Sequence, residues 1–224
     1  MTKSRAIIAS YVGVLVIACP IFIAGGRLLY WQAILYLIVA MIGTTINHLL
    51  TPKGSDLTVD RATRAREGVK WDKALLGVMF LLSIITFVVA GLDSGRFKWS
   101  GEFPVPVTAA GVFLMTAGQI LFALAKRVNS FFSSTVNIDA KREHVVCEKG
   151  PYGFVRHPGY LGMIISLVGF PLILNSYWTF IFVAMSVGVL VLRTYLEDGF
   201  LKARLNGYTD YALKTKWRLI PYIF

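Results

Sequence analysis

Long apolar runs interrupted by short polar ones set the pattern of this chain. Uncharged, mostly apolar sequence runs from Ala6 to Ile23, and similar runs follow from Leu28 to Leu50, Ala74 to Ala90 and Val105 to Ala125. Each comes close to the roughly 20 residues that an α-helix needs to cross a hydrocarbon core about 30 Å thick. Two more runs, Tyr160 to Leu174 and Tyr177 to Leu192, are separated by Asn175 and Ser176 alone. So short a link predicts a helical hairpin whose far ends emerge on one face. At about 1.5 Å per residue the first member reaches only roughly 22 Å, and it carries Gly162, Gly169 and Pro171. A helix that short tilts, thins the bilayer or re-enters. The predicted fold is all-α and polytopic, a helical membrane protein of six spans, with five spans and a re-entrant hairpin as the alternative.

Composition agrees. The 224 residues are 56% apolar, with a mean hydropathy of +0.64, more than a soluble globular domain carries. Charge then orients the spans. Of the 23 Lys and Arg residues, all but Arg27, Arg96 and Lys98 fall in segments that lie inside if the amino terminus is inside, as the positive-inside rule requires. This topology puts both termini and the three longest polar stretches, Thr51–Lys73, Lys126–Gly159 and Glu197–Phe224, on the cytoplasmic side. Residues 1–126 then supply spans one to four with the loop 51–73, and residues 127–224 supply the hairpin and most of a cytoplasmic cap. The net charge of +11 follows from topology and contact with anionic membrane lipid; no nucleic-acid recognition motif is present.

Smaller features fit this frame. Arg61, Arg64 and Arg66 ahead of Trp71 suit the wet face of a surface helix among lipid headgroups. Leu192–Leu205 continues the last span past the membrane to a stop at Asn206-Gly207, after which Tyr208, Tyr211 and Trp217 suit interface aromatics. Lys3 and Arg5 before a run ending in Val16-Ile17-Ala18-Cys19 have the pattern of a lipoprotein signal. The length of that run and the spans after it favour a retained first helix. Cys147 is the other cysteine, so no disulfide framework is implied.

The chemistry-bearing residues gather at one membrane boundary. There is no G-x-G-x-x-G or Walker loop and no G-x-S-x-G elbow. His48, His144 and His157 lack metal-ligand spacing, so no metal is expected. Cys147, three residues from His144, reads better as a small apolar filler than as a thiol nucleophile. What stands out is Gly150 to Tyr160, G-P-Y-G-F-V-R-H-P-G-Y, where Arg156 and His157 meet the start of an apolar run. Arg193 and Glu197 are four apart, hence on one helix face. Alone they would be a snorkelling arginine in a weak surface salt bridge. The hairpin, however, brings them level with Asn137, His144, Tyr152, Arg156, His157, Tyr160 and Asp198, a set of donors, carboxylates and aromatic hydroxyls suited to an amphoteric ligand. Pro151 and Pro158 stiffen the approach.

From about Asn129 onward the chain resembles the isoprenylcysteine carboxyl methyltransferase family of integral membrane enzymes, in its broad prokaryotic branch. The elements that carry the resemblance are N-S-F-F-S-S-T-V, H-V-V-C-E-K-G-P-Y, R-H-P-G-Y-L-G, R-T-Y-L-E-D-G-F-L and G-Y-T-D-Y-A-L-K-T-K-W-R-L-I-P, in that order. The resemblance implies S-adenosylmethionine as methyl donor. It places Asn137, where the family usually has glutamine, at the cofactor. It places there too the stretch His144, Val145, Val146 and Cys147, where Val146 and Cys147 depart from the family pattern in side chain only. Tyr152 and Arg156, the run His157, Pro158, Gly159 and Tyr160, and Glu197 complete the implied cofactor set. Arg193 is implied on the acceptor side, with Arg193 and Glu197 as the catalytic pair. The implied reaction is an in-line methyl transfer to a lipophilic acceptor arriving from the bilayer: a prenylated-cysteine carboxylate or a similar carboxylate, thiol or amine. A thiol or amine must first lose a proton, and His157 or Glu197 is then the candidate base.

Two other readings stay open on sequence. One is a nicotinamide-dependent reductase of a sterol or polyprenoid double bond, which preference for a nicotinamide over a sulfonium cofactor would identify. The other is a non-catalytic lipid-binding protein, against which saturable nucleotide binding would count.

Overall fold

A computed structural model of the chain describes residues 2–52, 68–138 and 144–224, and the regular elements among them are helical throughout. The helices are α1 (Lys3–Gly25), α2 (Trp31–Leu50), α3 (Lys70–Ala90), α4 (Val105–Val128), α5 (Pro158–Leu174), α6 (Thr179–Arg204) and the short α7 (Tyr208–Lys214). A π-helical segment, Gly91–Phe97, prolongs α3, and a 3-10 turn, Gly150–Gly153, precedes α5. Arg61, Arg64 and Arg66 lie outside the described residues.

Local signals set the ends. Thr2 Oγ1 accepts from the Arg5 amide to cap α1, and Gly26, at φ 67°, closes it by donating to the Phe22 and Ile23 carbonyls. That left-handed angle is one glycine adopts without strain. Pro158 opens α5, where its missing N–H costs nothing.

The solvent of this bundle is lipid. In the most apolar windows of the long helices only 17–33% of residues are buried, at mean hydropathies of 1.8 to 2.6, so most apolar side chains face outward. Ile8, Val12, Leu15 and Val16 on α1, Phe80 and Leu81 on α3 and Phe113 on α4 are examples. Five helices, Ser4–Gly25, Trp31–Leu50, Lys70–Phe97, Val105–Val128 and Thr179–Arg204, have the length and apolarity of membrane spans. The sixth, α5, has 17 residues, at the short limit of the roughly 17–25 that cross a bilayer.

α5 is held by its neighbours rather than by its length. It lies along α4, meets α6 across the hairpin and touches α2. The α4–α5 contact is backbone against backbone. A Cβ on Gly118 would stand 2.3 Å from the Gly162 carbonyl oxygen, and one on Gly162 would stand 2.6 Å from that of Gly118. One seven-residue step away the pattern repeats: Gly111 faces the Gly169 oxygen at 2.9 Å and Gly169 faces the Gly111 oxygen at 2.5 Å. Small residues are what allow helices to close to this distance in lipid, where dispersion replaces the hydrophobic effect as the driving force. Tyr36 of α2, Phe87 of α3 and Phe170 of α5 then meet edge to face, with centroids 5.0 to 5.4 Å apart. Such pairs add about 0.5–1.5 kcal/mol each beyond area burial.

At the end away from the predicted site, two expectations change. The hairpin link is Asn175–Trp178, not the two residues expected, because Asn175 and Ser176 are fully buried and turn inward before α6 begins. The third span runs past Ala90 through the π-helical segment, because Gly91 and Gly95 pack directly against α1 at Ile21 and Gly25. Within it Asp93, fully buried, accepts from the Ser100 amide at 2.8 Å, the Ser100 hydroxyl at 2.5 Å and the Ser176 hydroxyl at 2.5 Å. This knot ties the α3–α4 loop to the hairpin.

The glycine contact yields a direct test. Gly118→Ala and Gly162→Ala place a methyl on opposing backbone, where no side chain can yield, and are expected to cost about 2 kcal/mol or more. Gly77→Ala, with nothing within 4 Å of its Cβ, is expected to be neutral or stabilising. Unfolding in mixed micelles measures all three, and equal behaviour of Gly118→Ala and Gly77→Ala would refute the close approach.

Candidate functional site

Where α4 and α6 end and α5 begins, the connecting segments fold back over the bundle. The backbone amides of Arg156 and His157 donate to the carbonyls of Trp217 and Arg218, both at 2.9 Å, so the carboxyl-terminal segment lies alongside the R-H-P-G-Y stretch. Gly150 supplies the positive φ of 58° that turns the chain into the 3-10 segment. The Tyr152 carbonyl then accepts from the Tyr211 hydroxyl at 2.8 Å, which fastens that segment to α7.

Asp198 is the hub of this end. It is 1% exposed, and an unpaired carboxylate so buried would be prohibitive. Arg156 meets it through Nε at 2.7 Å and a terminal nitrogen at 3.1 Å, Arg218 at 3.0 Å, Lys202 at 3.2 Å and the Tyr208 hydroxyl at 3.0 Å. The other terminal nitrogen of Arg156 donates to the carbonyls of Thr215 and Lys216, both at 2.8 Å. His157 Nε2 lies 3.7 Å from Asp198 and 3.4 Å from the Tyr208 hydroxyl, while its ring stacks parallel to that of Tyr160. Four elements are thus tied to one carboxylate. Burial, together with the Asp198 charge, pushes the Tyr208 hydroxyl up, which keeps it a donor at every physiological pH.

Beside the hub opens a cavity of about 110 Å³. Asn137, His144, Val145, Val146, Cys147, Tyr152, Arg156, His157, Gly159, Tyr160 and Glu197 all line it. Of the sequence-predicted set, Pro158 and Arg193 do not. Pro158 is buried at the first turn of α5. His144 stacks on Phe131 with centroids 4.2 Å apart, and Asn137 reaches the Ser133 hydroxyl at 3.4 Å. Tyr160 donates a short hydrogen bond to Glu197 Oε2.

Arg193, which the resemblance implies on the acceptor side, pairs with a carboxylate other than Glu197. It is 4% exposed and turns to Asp72 of α3, with Nε to Oδ1 at 2.6 Å and a terminal nitrogen to Oδ2 at 3.2 Å. Its guanidinium also lies 5.0 Å from the centre of the Tyr160 ring. Arg193 and Glu197 therefore meet through Tyr160, one on the ring face and one on the hydroxyl. Tyr208 and Tyr211 are buried in the cavity wall rather than standing as interface aromatics.

Sequence reasoning missed several participants. Asp72 carried no motif; its one signal was a carboxylate beside an apolar run. Phe131, Phe132, Thr135 and Val136 line the cavity from the N-S-F-F-S-S-T-V stretch, and Leu201, Leu205 and Tyr208 complete it. The spacing of Leu201, Leu205 and Tyr208 is a helical one that reads equally well as core. Cys147 is half-buried and its thiol donates to the Val128 carbonyl at 3.4 Å; burial pushes it above the ordinary thiol range.

The model of the isoprenylcysteine carboxyl methyltransferase (ICMT) family matches residues 109–203. The matched stretch holds both glycine contacts, the R-H-P-G-Y segment, Glu197 and Asp198, while Asp72 and α7 lie beyond it. The chain is also similar to the cobalt-zinc-cadmium resistance protein CzcN of Cupriavidus metallidurans, at 27% identity over 139 residues. That alignment covers 59% of this chain and 58% of CzcN, so the chain spans little more than half of this relative. Among the described residues no group of three or more His, Cys, Asp or Glu could hold a metal ion.

Two outcomes follow from this geometry. Asp198→Ala leaves the Arg156 guanidinium buried without its partner, and is expected to cost about 3–5 kcal/mol, read as a lower unfolding midpoint in detergent; a shift under about 1 kcal/mol would refute the hub. In a Cys19→Ala background, alkylation of Cys147 is expected to keep rising about tenfold per pH unit past the ordinary thiol pKa near 8.5, because the thiolate is the reactive form. A plateau at or below that pH would show an unshifted thiol.

Proposed function

We propose that the protein is an S-adenosylmethionine-dependent membrane methyltransferase that transfers a methyl group to a lipophilic acceptor. One observation carries this reading: cavity residues scattered from Asn137 to Glu197, which the family resemblance assigns to the cofactor, converge on one cavity at a single end of a membrane bundle. The donor set suits the ligand. Its aromatic rings suit an adenine, the 144–147 backbone and the Asn137 amide suit polar ribose and amino-acid edges, and the Glu197 carboxylate suits a cation. At Gly159 a Cβ would stand 3.0 Å from the Phe132 ring, so the bare backbone there leaves room beside the aromatic wall.

When bound, S-adenosylmethionine supplies an electrophilic methyl group on a sulfonium. The chain's own residues then bind, orient and exclude water. The Tyr160 hydroxyl fixes Glu197, so the carboxylate faces the cavity without searching rotamers, and positioning of this kind supplies much of the rate of an in-line transfer. For an acceptor that must lose a proton, His157 and Glu197 are the bases at hand. The positive-inside distribution supports a cytoplasmic cavity with both termini on that side, and the apolar outer faces of α5 and α6 support lateral entry of the acceptor from the bilayer.

Calorimetric titration of the purified protein with S-adenosylmethionine and, in parallel, with NADPH tests the reading. Saturable binding of the sulfonium cofactor and none of NADPH is expected. Glu197→Ala is expected to weaken that binding by about 30-fold, roughly 2 kcal/mol, with the unfolding midpoint held. Binding of NADPH instead, or wild-type affinity in Glu197→Ala, would overturn it.

A further inference from the structure

We propose that Asp72, on the third helix and outside the matched segment, is a positioning residue that builds one wall of the cavity through Arg193. Asp72 is 0% exposed and uses both carboxylate oxygens. Oδ1 takes Arg193 Nε at 2.6 Å; Oδ2 takes a terminal nitrogen of Arg193 at 3.2 Å and the backbone amide of Val136 at 2.8 Å. The same terminal nitrogen of Arg193 donates to the Ser134 carbonyl at 2.9 Å. The Val69 amide donates to the Val136 carbonyl at 3.2 Å, one turn ahead of Asp72. Segment 134–136 is therefore gripped on both sides by one buried ion pair and by the backbone that leads into α3.

That segment is the cavity wall. Ser133, Thr135, Val136 and Asn137 all line the cavity, and it contains no regular secondary structure to hold itself in place. Loop backbone beside an open cavity loses order unless its polar groups are satisfied. Here they are satisfied by a side chain some sixty positions away in each direction along the chain, Asp72 before it and Arg193 after it. Arg193 faces two ways: it holds Ser134 on one side, and on the other lies over the Tyr160 ring, whose hydroxyl fixes Glu197. Asp72 thus sets the wall directly and Glu197 at two removes, without touching the cavity.

The chemistry demands a carboxylate. Asparagine offers one acceptor and one donor, so the amide that faces Arg193 or Val136 meets another donor. Asp72→Asn removes the charge that Arg193 needs with almost no change in volume. The wall is then released while the core of α4 and α5 stays packed.

The inference has one readout of its own and one that rests on the cofactor reading above. Hydrogen exchange of the full-length, ligand-free protein in micelles is expected to show the Val136 amide and its neighbours in 133–137 exchanging at least about tenfold faster in Asp72→Asn, with α4 and α5 amides unchanged. Titration with S-adenosylhomocysteine is expected to show affinity falling about tenfold or more in the same variant, since the wall is no longer preorganised. Arg193→Lys is the second variant: it leaves Asp72 a cation but loses the fork that reaches Asp72 and the Ser134 carbonyl together, and it is expected to loosen the same segment. It carries the test if Asp72→Asn fails to fold. Wild-type exchange of Val136 in the variant that folds overturns the proposal, as does faster exchange spread equally through α4 and α5. Loosened 133–137 with undiminished affinity also overturns it. Failure of the wild-type protein to bind S-adenosylhomocysteine strikes the cofactor reading alone, and the exchange result still decides the role of Asp72.

Discussion

The contact of α4 with α5 through bare backbone is the constraint on which the rest depends. Each helix brings two glycines seven residues apart, and at each pair a carbonyl of one helix occupies the place where the other's Cβ would be. Helices this close hold their ends in fixed register. The register matters because α4 delivers the chain to the N-S-F-F-S-S-T-V stretch, while α5 starts from the R-H-P-G-Y stretch. Both walls of the cavity hang from this one seam. A larger residue there would move two walls apart at once, with no damage to any residue that touches the cavity.

Beyond the seam, electrostatics takes over. At a bilayer boundary water is too scarce to satisfy buried charge, so each carboxylate must find its donors within the protein. Asp198 and Asp72 both do, and each gathers segments that are remote in sequence. Asp198 draws in Arg156, Lys202, Arg218 and Tyr208, and so fastens α6, α7, the carboxyl-terminal segment and the turn before α5 together. Asp72 draws in Arg193 and the Val136 amide, which joins α3, α6 and the wall between α4 and α5. Breaking either hub strands a cation, which costs more than the pair itself contributes.

The helical frame was legible because hydropathy in a bilayer is a strong local signal: each run from Ala6 to Leu192 became a helix at nearly the expected bounds. The extension through Gly91–Phe97 was not legible, because a π-helical segment held by helix-to-helix packing leaves no periodic trace in a short stretch containing Asp93 and two glycines. Much of the cavity was legible for a different reason. Arg156, His157, Tyr160 and Glu197 are polar residues at the edge of apolar runs, and a hairpin can bring such edges together. Partnership was harder. The four-residue spacing of Arg193 and Glu197 marks them as neighbours on a helix face, yet Arg193 pairs with Asp72, because a guanidinium inside the bundle gains more from a buried carboxylate than from one aimed at a cavity. Helix spacing carries no information on contacts across 121 positions of chain.

The two ends of the bundle show why the cavity sits where it does. At the far end Asp93 is enclosed by the Ser100 amide and hydroxyl and the Ser176 hydroxyl, and the link Asn175–Ser176 is sealed inside. At the near end the sealed carboxylates, Asp198 and Asp72, stand behind the walls, and Glu197 stands in front of them. Among the described residues its hydrogen bond comes from the Tyr160 hydroxyl, a neutral donor. A carboxylate with a neutral partner keeps most of its charge available, whereas one ringed by guanidinium groups does not. Arg193 and Arg156 are committed to the buried carboxylates, while Glu197 meets the cavity with a neutral partner.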